Sequence, residues 1–362
     1  MPTVGLVMIV KNEEAVIERA LRSAAPFVTA VSIVDTGSTD QTKAIILRIS
    51  AELNLTCHLY DRSWVNFGHN RSEALQLAGD HMDWGIMLDA DDSLMGTPPG
   101  PELWARTDLI GCTVSIHQGS LRYQRTQIFY KPATWTYKGV LHEYPECTIG
   151  GQTHRLPDTI WMESRREGAR SQDPEKYLKD AQLLVAELEK QPADKKDPRT
   201  LFYCAQSYRD ASKKEESMYY YRKRLTVEGW VQERYIALLN LIRLTSSEQE
   251  QIDFARKAIE LDPTRLEATH ALLSKRRLAA KPFTQEVYAI GLTVSNRIPA
   301  ANALFIEKDI YDWRFDDELS VTAFWTSHYA EGYAAACRSL MHCPPEQRER
   351  IRNSAQFCFD KL

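Results

Sequence analysis

The chain has 362 residues, 43% of them hydrophobic and 26% charged, and a formal net charge of −4. That length has room for two domains with real cores, and the acidic balance carries no nucleic-acid footprint. No apolar run approaches the roughly 20 residues of a membrane helix, Met1-Pro2-Thr3-Val4 lacks a basic signal region, and the seven cysteines include no C-x-x-C pair, so a soluble cytoplasmic protein with reduced thiols and no membrane span is expected.

Val4–Val10 is a continuous apolar run and predicts an interior parallel strand. Asn12 stands where a helix cap is wanted, with Glu13 and Glu14 in the first turn. Ala15, Ile17, Ala20, Leu21 and Ala24 make that helix amphipathic up to Pro26. Val31–Val34 predicts a second strand ending at Asp35, and Thr36-Gly37-Ser38-Thr39-Asp40 a tight turn capping a helix over Gln41–Leu53. A strand over Thr56–Tyr60, a helix over Arg71–Ala78 and a strand over Trp84–Leu88 follow. Strand and helix alternate throughout, which predicts an α/β fold with a doubly wound, mostly parallel sheet. Such sheets bind ligands at the carboxyl ends of their strands, and Asp35 and Asp89 both fall at such ends.

Asp89, Asp91 and Asp92 crowd together where the fourth strand leaves the core. Bare carboxylates repel one another and are costly to desolvate. Mg²⁺ or Mn²⁺, which join one or two carboxylates to substrate phosphates, would account for the arrangement; an acidic surface turn is the other reading of the same spacing. Beyond a Gly/Pro-rich loop at 96–101, residues 109–131 predict strands turning at Gln118-Gly119-Ser120. Trp135 to Glu143 is expected to return toward the site, and Thr159–Met162 to close the first domain.

Residues 166–175 are polar and read as a linker between a domain at 1–165 and an all-α domain at 176–362. In the helical half, Tyr220, Arg222, Lys223 and Leu225 recur 34 positions later as Phe254, Arg256, Lys257 and Ile259. That period is the tetratricopeptide (TPR) one, with a divergent third copy at Gly332–Leu340; an ordinary helical bundle is the plainer alternative.

Three segments, Val7-Met8-Ile9-Val10-Lys11-Asn12-Glu13-Glu14, Val34-Asp35-Thr36-Gly37-Ser38-Thr39-Asp40 and Leu88-Asp89-Ala90-Asp91-Asp92, resemble the nucleotide-binding core of family-2 glycosyltransferases. Phe67-Gly68-His69-Asn70-Arg71-Ser72-Glu73-Ala74-Leu75 resembles a segment of members that carry C-terminal helical repeats. The resemblance implies a GT-A fold, a nucleoside diphosphate sugar donor (a UDP-sugar most simply) and single displacement with inversion. It implies that Val10, Asn12, Glu14 and Ala90 line the nucleotide-sugar pocket and that Asp35 accepts a hydrogen bond from the base. On the same resemblance Arg71 lies near the base or diphosphate, Asp89 holds the ribose or a metal-bound water, and Asp91 ligates Mn²⁺ or Mg²⁺. Asp92 is then a supporting group or turn cap, and His142 resembles the late histidine many GT-A enzymes bring to the metal. Glu143 is a candidate general base on the acceptor; neighbours on a strand face opposite ways, so His142 and Glu143 serve one site only from a loop.

Other enzyme classes fare worse. Lys11-Asn12-Glu13-Glu14 follows the first strand where a nucleotidyltransferase wants a glycine-rich phosphate loop and a dehydrogenase wants G-x-G-x-x-G. A repeat-based adaptor with an inactive front domain is the non-enzyme alternative. The acceptor (peptide, protein, glycan or small molecule, with a nucleic acid not dismissed) leaves no signature, and the repeats are expected to dock it or to form a homodimer.

Overall fold

The structure, a computed structural model, describes residues 2–119, 121–165, 167–278, 283–294, 298 and 303–362. Ser120 of the predicted turn and Arg166 of the predicted linker lie outside the described residues. The chain forms two compact units, Met1–Leu184 and Val185–Leu362.

The first unit begins β1 (Val4–Val10), α1 (Ile17–Ala24), β2 (Ala30–Asp35), α2 (Thr42–Glu52), β3 (Thr56–Asp61), α3 (Phe67–Gly79), β4 (Trp84–Met87), β5 (Ser93–Gly96) and α4 (Pro101–Trp104). It continues β6 (Leu109–Gln118), β7 (Leu121–Tyr130), β8 (Trp135–Lys138), β9 (Tyr144–Cys147), β10 (Gln152–Arg155) and β11 (Ile160–Glu163). The main sheet runs β3-β2-β1-β4-β7-β6-β11-β5, with β10 beside β6. β3, β2, β1 and β4 are mutually parallel, whereas β7 joins β4 antiparallel. The α/β alternation therefore builds a parallel half, and the β6–β7 hairpin extends it.

β1 shows why its run is apolar throughout. Leu6, Met8 and Val10 join the core beneath α1 and α2, while Val7 packs with Ala74, Leu75 and Ala78 of α3. Both faces are covered, so neither tolerates polar residues.

Two local expectations change. Asn12 caps no helix: it sits at φ 56°, and α1 begins only at Ile17. Asn tolerates this left-handed backbone, and its amide is drawn instead to a neighbouring loop. α3 starts one turn earlier than its pattern suggests, because the Asn66 side chain accepts the His69 N–H at 2.8 Å.

Gly68 in that first turn is required by packing. A Cβ there would stand 2.1 Å from the Gly139 carbonyl oxygen. Ser72 donates to the Gly68 carbonyl at 2.6 Å and accepts the Tyr137 N–H at 2.8 Å, so α3 clasps the strand leading to Glu143. Ala normally stabilises a helix relative to Gly. Here Gly68→Ala is expected to destabilise by roughly 1–3 kcal/mol through overpacking, lowering Tm by several degrees in a thermal melt; an unchanged or raised Tm would contradict the packing.

The second unit takes in the end of α5 (Lys176–Glu189), then α6 (Pro198–Asp210), α7 (Lys214–Leu225), α8 (Val231–Leu244), α9 (Glu248–Leu261), α10 (Glu267–Leu278), α11 (Gln285–Val294), α12 (Phe315–Trp325), α13 (Tyr329–His342) and α14 (Arg348–Phe359). The repeated Tyr220 and Phe254 both pack against one core with Phe202, Tyr235 and Leu272. The repeat is thus realised as TPR-like helix pairs. Within it, Arg265 and Glu267 form a fully buried ion pair at 3.0 Å, and Arg265 also donates to Gln232 at 2.7 Å. These partners leave the pair satisfied, as burial of charge demands. Among the described residues no helix is long and apolar enough to cross a membrane.

Candidate active site

The strand ends carry the site. β1 and β2 are in register at Val10 and Asp35. The loops beyond them are clasped: Asn12 Oδ1 accepts the Thr39 N–H at 2.8 Å, and Glu14 Oε2 accepts the Gln41 N–H at 2.9 Å. Asn12 and Glu14 thus hold the rim together with their side chains. Val10 and Ala90 are buried in the apolar core, at 3% and 6% exposure.

Asp35 is fully buried at the end of β2. Its Oδ1 accepts the N–H groups of Gly37 and Ser38 at 2.8 and 2.7 Å, shaping the turn. Gly37 there adopts φ 104°, a backbone that only glycine takes without strain. Oδ2 of Asp35 is buried without a hydrogen-bond partner among the described residues. A buried carboxylate oxygen left so is costly, and it suits an incoming N–H donor.

At the end of β4, three distant segments meet on one guanidinium. Arg71 of α3 places Nη2 2.5 Å from Asp89 Oδ1 and Nε 2.8 Å from Glu143 Oε1. Arg71 and Glu143 side chains are only 6% and 7% exposed, while that of Asp89 remains 34% exposed. Burial disfavours the arginine cation, but the charges of Asp89 and Glu143 outweigh this and hold it protonated. Burial likewise opposes the Asp89 anion, yet Arg71 and Arg125 hold its carboxyl below the usual range. The Arg71 guanidinium lies 5.7 Å from the Tyr137 ring centroid, and Arg71 Nη1 and the Tyr137 hydroxyl are buried without partners among the described residues.

Around Asp91 the balance reverses. Asp92 is buried and bonded to Ser164; burial first, then the charges of Asp89 and Asp91, push its carboxyl up to about 8. Burial likewise raises Glu13 to about 7, aided by Asp91, Asp89 and Asp40 and opposed by the Ala169 N–H. Both groups bind protons more tightly folded than unfolded. Over the window from the usual carboxylate range up to about 7–8, the native state therefore holds more protons, and stability falls as pH rises. Without added metal, Tm is expected to decline from pH 5 to pH 8, and Asp92→Asn to flatten that slope in melts across the range; a Tm that climbs to pH 8 would refute the crowding.

A hard divalent cation suits this cluster. Mg²⁺ or Mn²⁺ asks for one or two carboxylates, with water and phosphate completing the shell. Burial raises the Asp92 and Glu13 carboxyls first, and the nearby charges of Asp89 and Asp91 add to it. Among the described residues no three His, Cys, Asp or Glu side chains are placed together to hold a metal. Asp89, Asp91 and His142 are therefore no ready-made triad. His142 is exposed on a turn at φ 53°, and that loop geometry, rather than a strand, separates it from Glu143, whose side chain is buried on Arg71.

Some participants left no trace in the motifs. Arg19 of α1 donates to the Asp91 carbonyl at 3.0 Å and pairs with Glu167 at 2.6 Å. The N–H of Gly168 donates to Asp91 Oδ2 at 3.0 Å, and that of Ala169 to Glu13 Oε2 at 3.2 Å. Only Glu13, acidic and next to a strand end, carried a side-chain signal.

Residues 6–159 match the family model described as Glycosyl transferase family 2. A TPR repeat-containing protein of Synechococcus elongatus is 35% identical over 96 residues, or 26% of this chain; the match spans 22% of that relative's length. Staphylococcus aureus TarS 1–349 in complex with UDP-GlcNAc aligns over 78% of this chain and 93% of its own, at 16% identity and TM-score 0.38. The mannosyltransferase PcManGT from Pyrobaculum calidifontis, in complex with GDP-Man and Mn²⁺, aligns over 77% and 88%, at 15% identity and TM-score 0.34.

Proposed function

We propose that this chain, whose residues 6–159 are a domain of glycosyl transferase family 2, transfers a sugar from a nucleoside diphosphate sugar, most simply a UDP-sugar, to an acceptor. One observation carries the reading: Asp35, a buried carboxylate with one oxygen unpartnered among the described residues, and the Asp89–Asp91 pair stand at the carboxyl ends of strands in the parallel half of one sheet. Ligands of such sheets bind at those ends.

Asp35 Oδ2 accepts the imide N–H of the base. Asp91 with Asp89 would hold a divalent cation, Mn²⁺ or Mg²⁺, which supplies Lewis-acid neutralisation of the leaving diphosphate. Arg71 fixes Asp89 and Glu143 in one orientation, so the donor and acceptor sides share one rigid cation. Glu143 accepts the proton of the acceptor hydroxyl as that oxygen attacks the anomeric carbon opposite the diphosphate, a single displacement with inversion.

A thermal-shift panel of uridine, guanosine and adenosine diphosphates, with and without Mn²⁺, tests the reading, followed by donor hydrolysis. Uridine diphosphate with Mn²⁺ is expected to stabilise most. If no nucleotide raises Tm under either condition, the proposal fails.

A further inference from the structure

We propose that Glu167–Gln172 is an autoinhibitory strap that, in the nucleotide-free protein, holds the cation-binding carboxylates closed with its own backbone and must lift for cation and diphosphate to bind. The inference rests on the transferase reading above.

The strap is anchored on both sides. The Ser164 N–H donates to the His117 carbonyl at 2.8 Å, continuing β11. At the other end a short 3₁₀ turn covers Ala169–Gln172, and the Arg170 guanidinium lies 4.4 Å from the Phe67 ring centroid and pairs with Asp180. Between these anchors Gly168 and Ala169 lie over the acidic cluster. Gly168 is buried, and a Cβ on it would stand 3.2 Å from both Asp91 Oδ2 and Glu13 Oε2. Its N–H and that of Ala169 point at those two carboxylates. Arg19 clamps the arrangement, holding Asp91 through its carbonyl and the strap through Glu167.

Two backbone N–H dipoles thus stand in for positive charge beside Asp91. A cation at about 2.0–2.1 Å from Asp91 Oδ2, on the side where the Gly168 N–H donates, cannot share that position with the strap backbone once its octahedral shell is complete. Strap and ion compete for one oxygen. The clamp that holds the strap is weak: the Arg19 and Glu167 side chains are 34% and 47% exposed, and such surface pairs contribute little. A contact this light can be released by ligand binding on each turnover.

The experiment uses the full chain and Mn²⁺ alone, titrated by calorimetry, with amide hydrogen exchange read at Gly168 and Ala169. Glu167→Gln breaks the clamp and is expected to tighten Mn²⁺ binding about 2–5-fold, the range of an exposed ion pair. Arg170→Gln removes the anchor on Phe67 and Asp180 while leaving the Asp91 carboxylate untouched; it is expected to tighten binding by at least as much. In the unmodified chain, Mn²⁺ with uridine diphosphate should speed exchange at both amides. Equal or weaker Mn²⁺ binding in both variants, with exchange unchanged by ligand, would overturn the strap while leaving the transferase reading intact. Failure of every form to bind Mn²⁺ or nucleotide would remove that reading and the strap with it.

Discussion

Asp91→Ala is expected to lower kcat/KM for sugar transfer by about a thousandfold or more, while leaving the metal-free fold as stable as before or more so. The first half follows from what a bound cation contributes, several kcal/mol of charge stabilisation on the leaving group, at about 1.4 kcal/mol per factor of ten. The second half follows from the local field. Asp91 adds its charge to the burial that raises the carboxyls of Asp92 and Glu13, so its removal relieves repulsion, which offsets the lost acceptor of the Gly168 N–H. The Arg19 bond to residue 91 survives, since it is made to the backbone carbonyl. Melting and turnover measured together decide the matter. A variant that loses activity and also melts far lower would make Asp91 a structural group, and one that keeps metal-dependent activity would move the cation elsewhere.

Arg71→Ala is the second large effect, and here stability and activity should fall together. The side chain is 6% exposed and holds Asp89 and Glu143 at 2.5 and 2.8 Å. Removing one member of a buried ion pair costs about 3–5 kcal/mol, because the partner charges stay behind. The 34% exposure of the Asp89 side chain puts the value near the lower end, a fall in Tm of roughly 6–12 °C for a unit of this size. Arg71→Lys keeps a charge but loses the fork that reaches two carboxylates at once, so it should recover part of the Tm and little of the transfer rate. If Arg71→Lys restores both in full, the two-sided grip is not what the reaction uses.

How much of this was legible beforehand differs from residue to residue. The two-faced burial of β1 shows as an unbroken apolar run, because a strand covered on both sides has no position to give to polar residues. Asp89, Asp91 and Asp92 are visible as a cluster because adjacent carboxylates at a strand end are improbable without a compensating charge. Asn12 misleads for an equally physical reason. The residue that caps helices is also the one that tolerates φ 56°, and only the approach of Thr39 decides between them. Glu14, expected at the ligand, secures Gln41 with its side chain, a structural role that its place in the motif does not announce. The Gly168 contact with Asp91 spans 77 positions and is made by a backbone N–H, which nearly every residue possesses; no residue type announces it.

The amino-acid order alone determined the alternation of strands and helices, the placing of Asp35 and Asp89 at strand ends, and the 34-residue spacing in the helical half. These are local properties: periodicity and chain direction settle them before any distant segment arrives. Tertiary structure decided that Arg71 would serve two carboxylates from two other segments, that Asp35 would keep one oxygen unpartnered among the described residues, and that a strap would lie across Asp91. Charge pairing and backbone donation act through space at about 3 Å, and that proximity exists only once the sheet has brought its loops together.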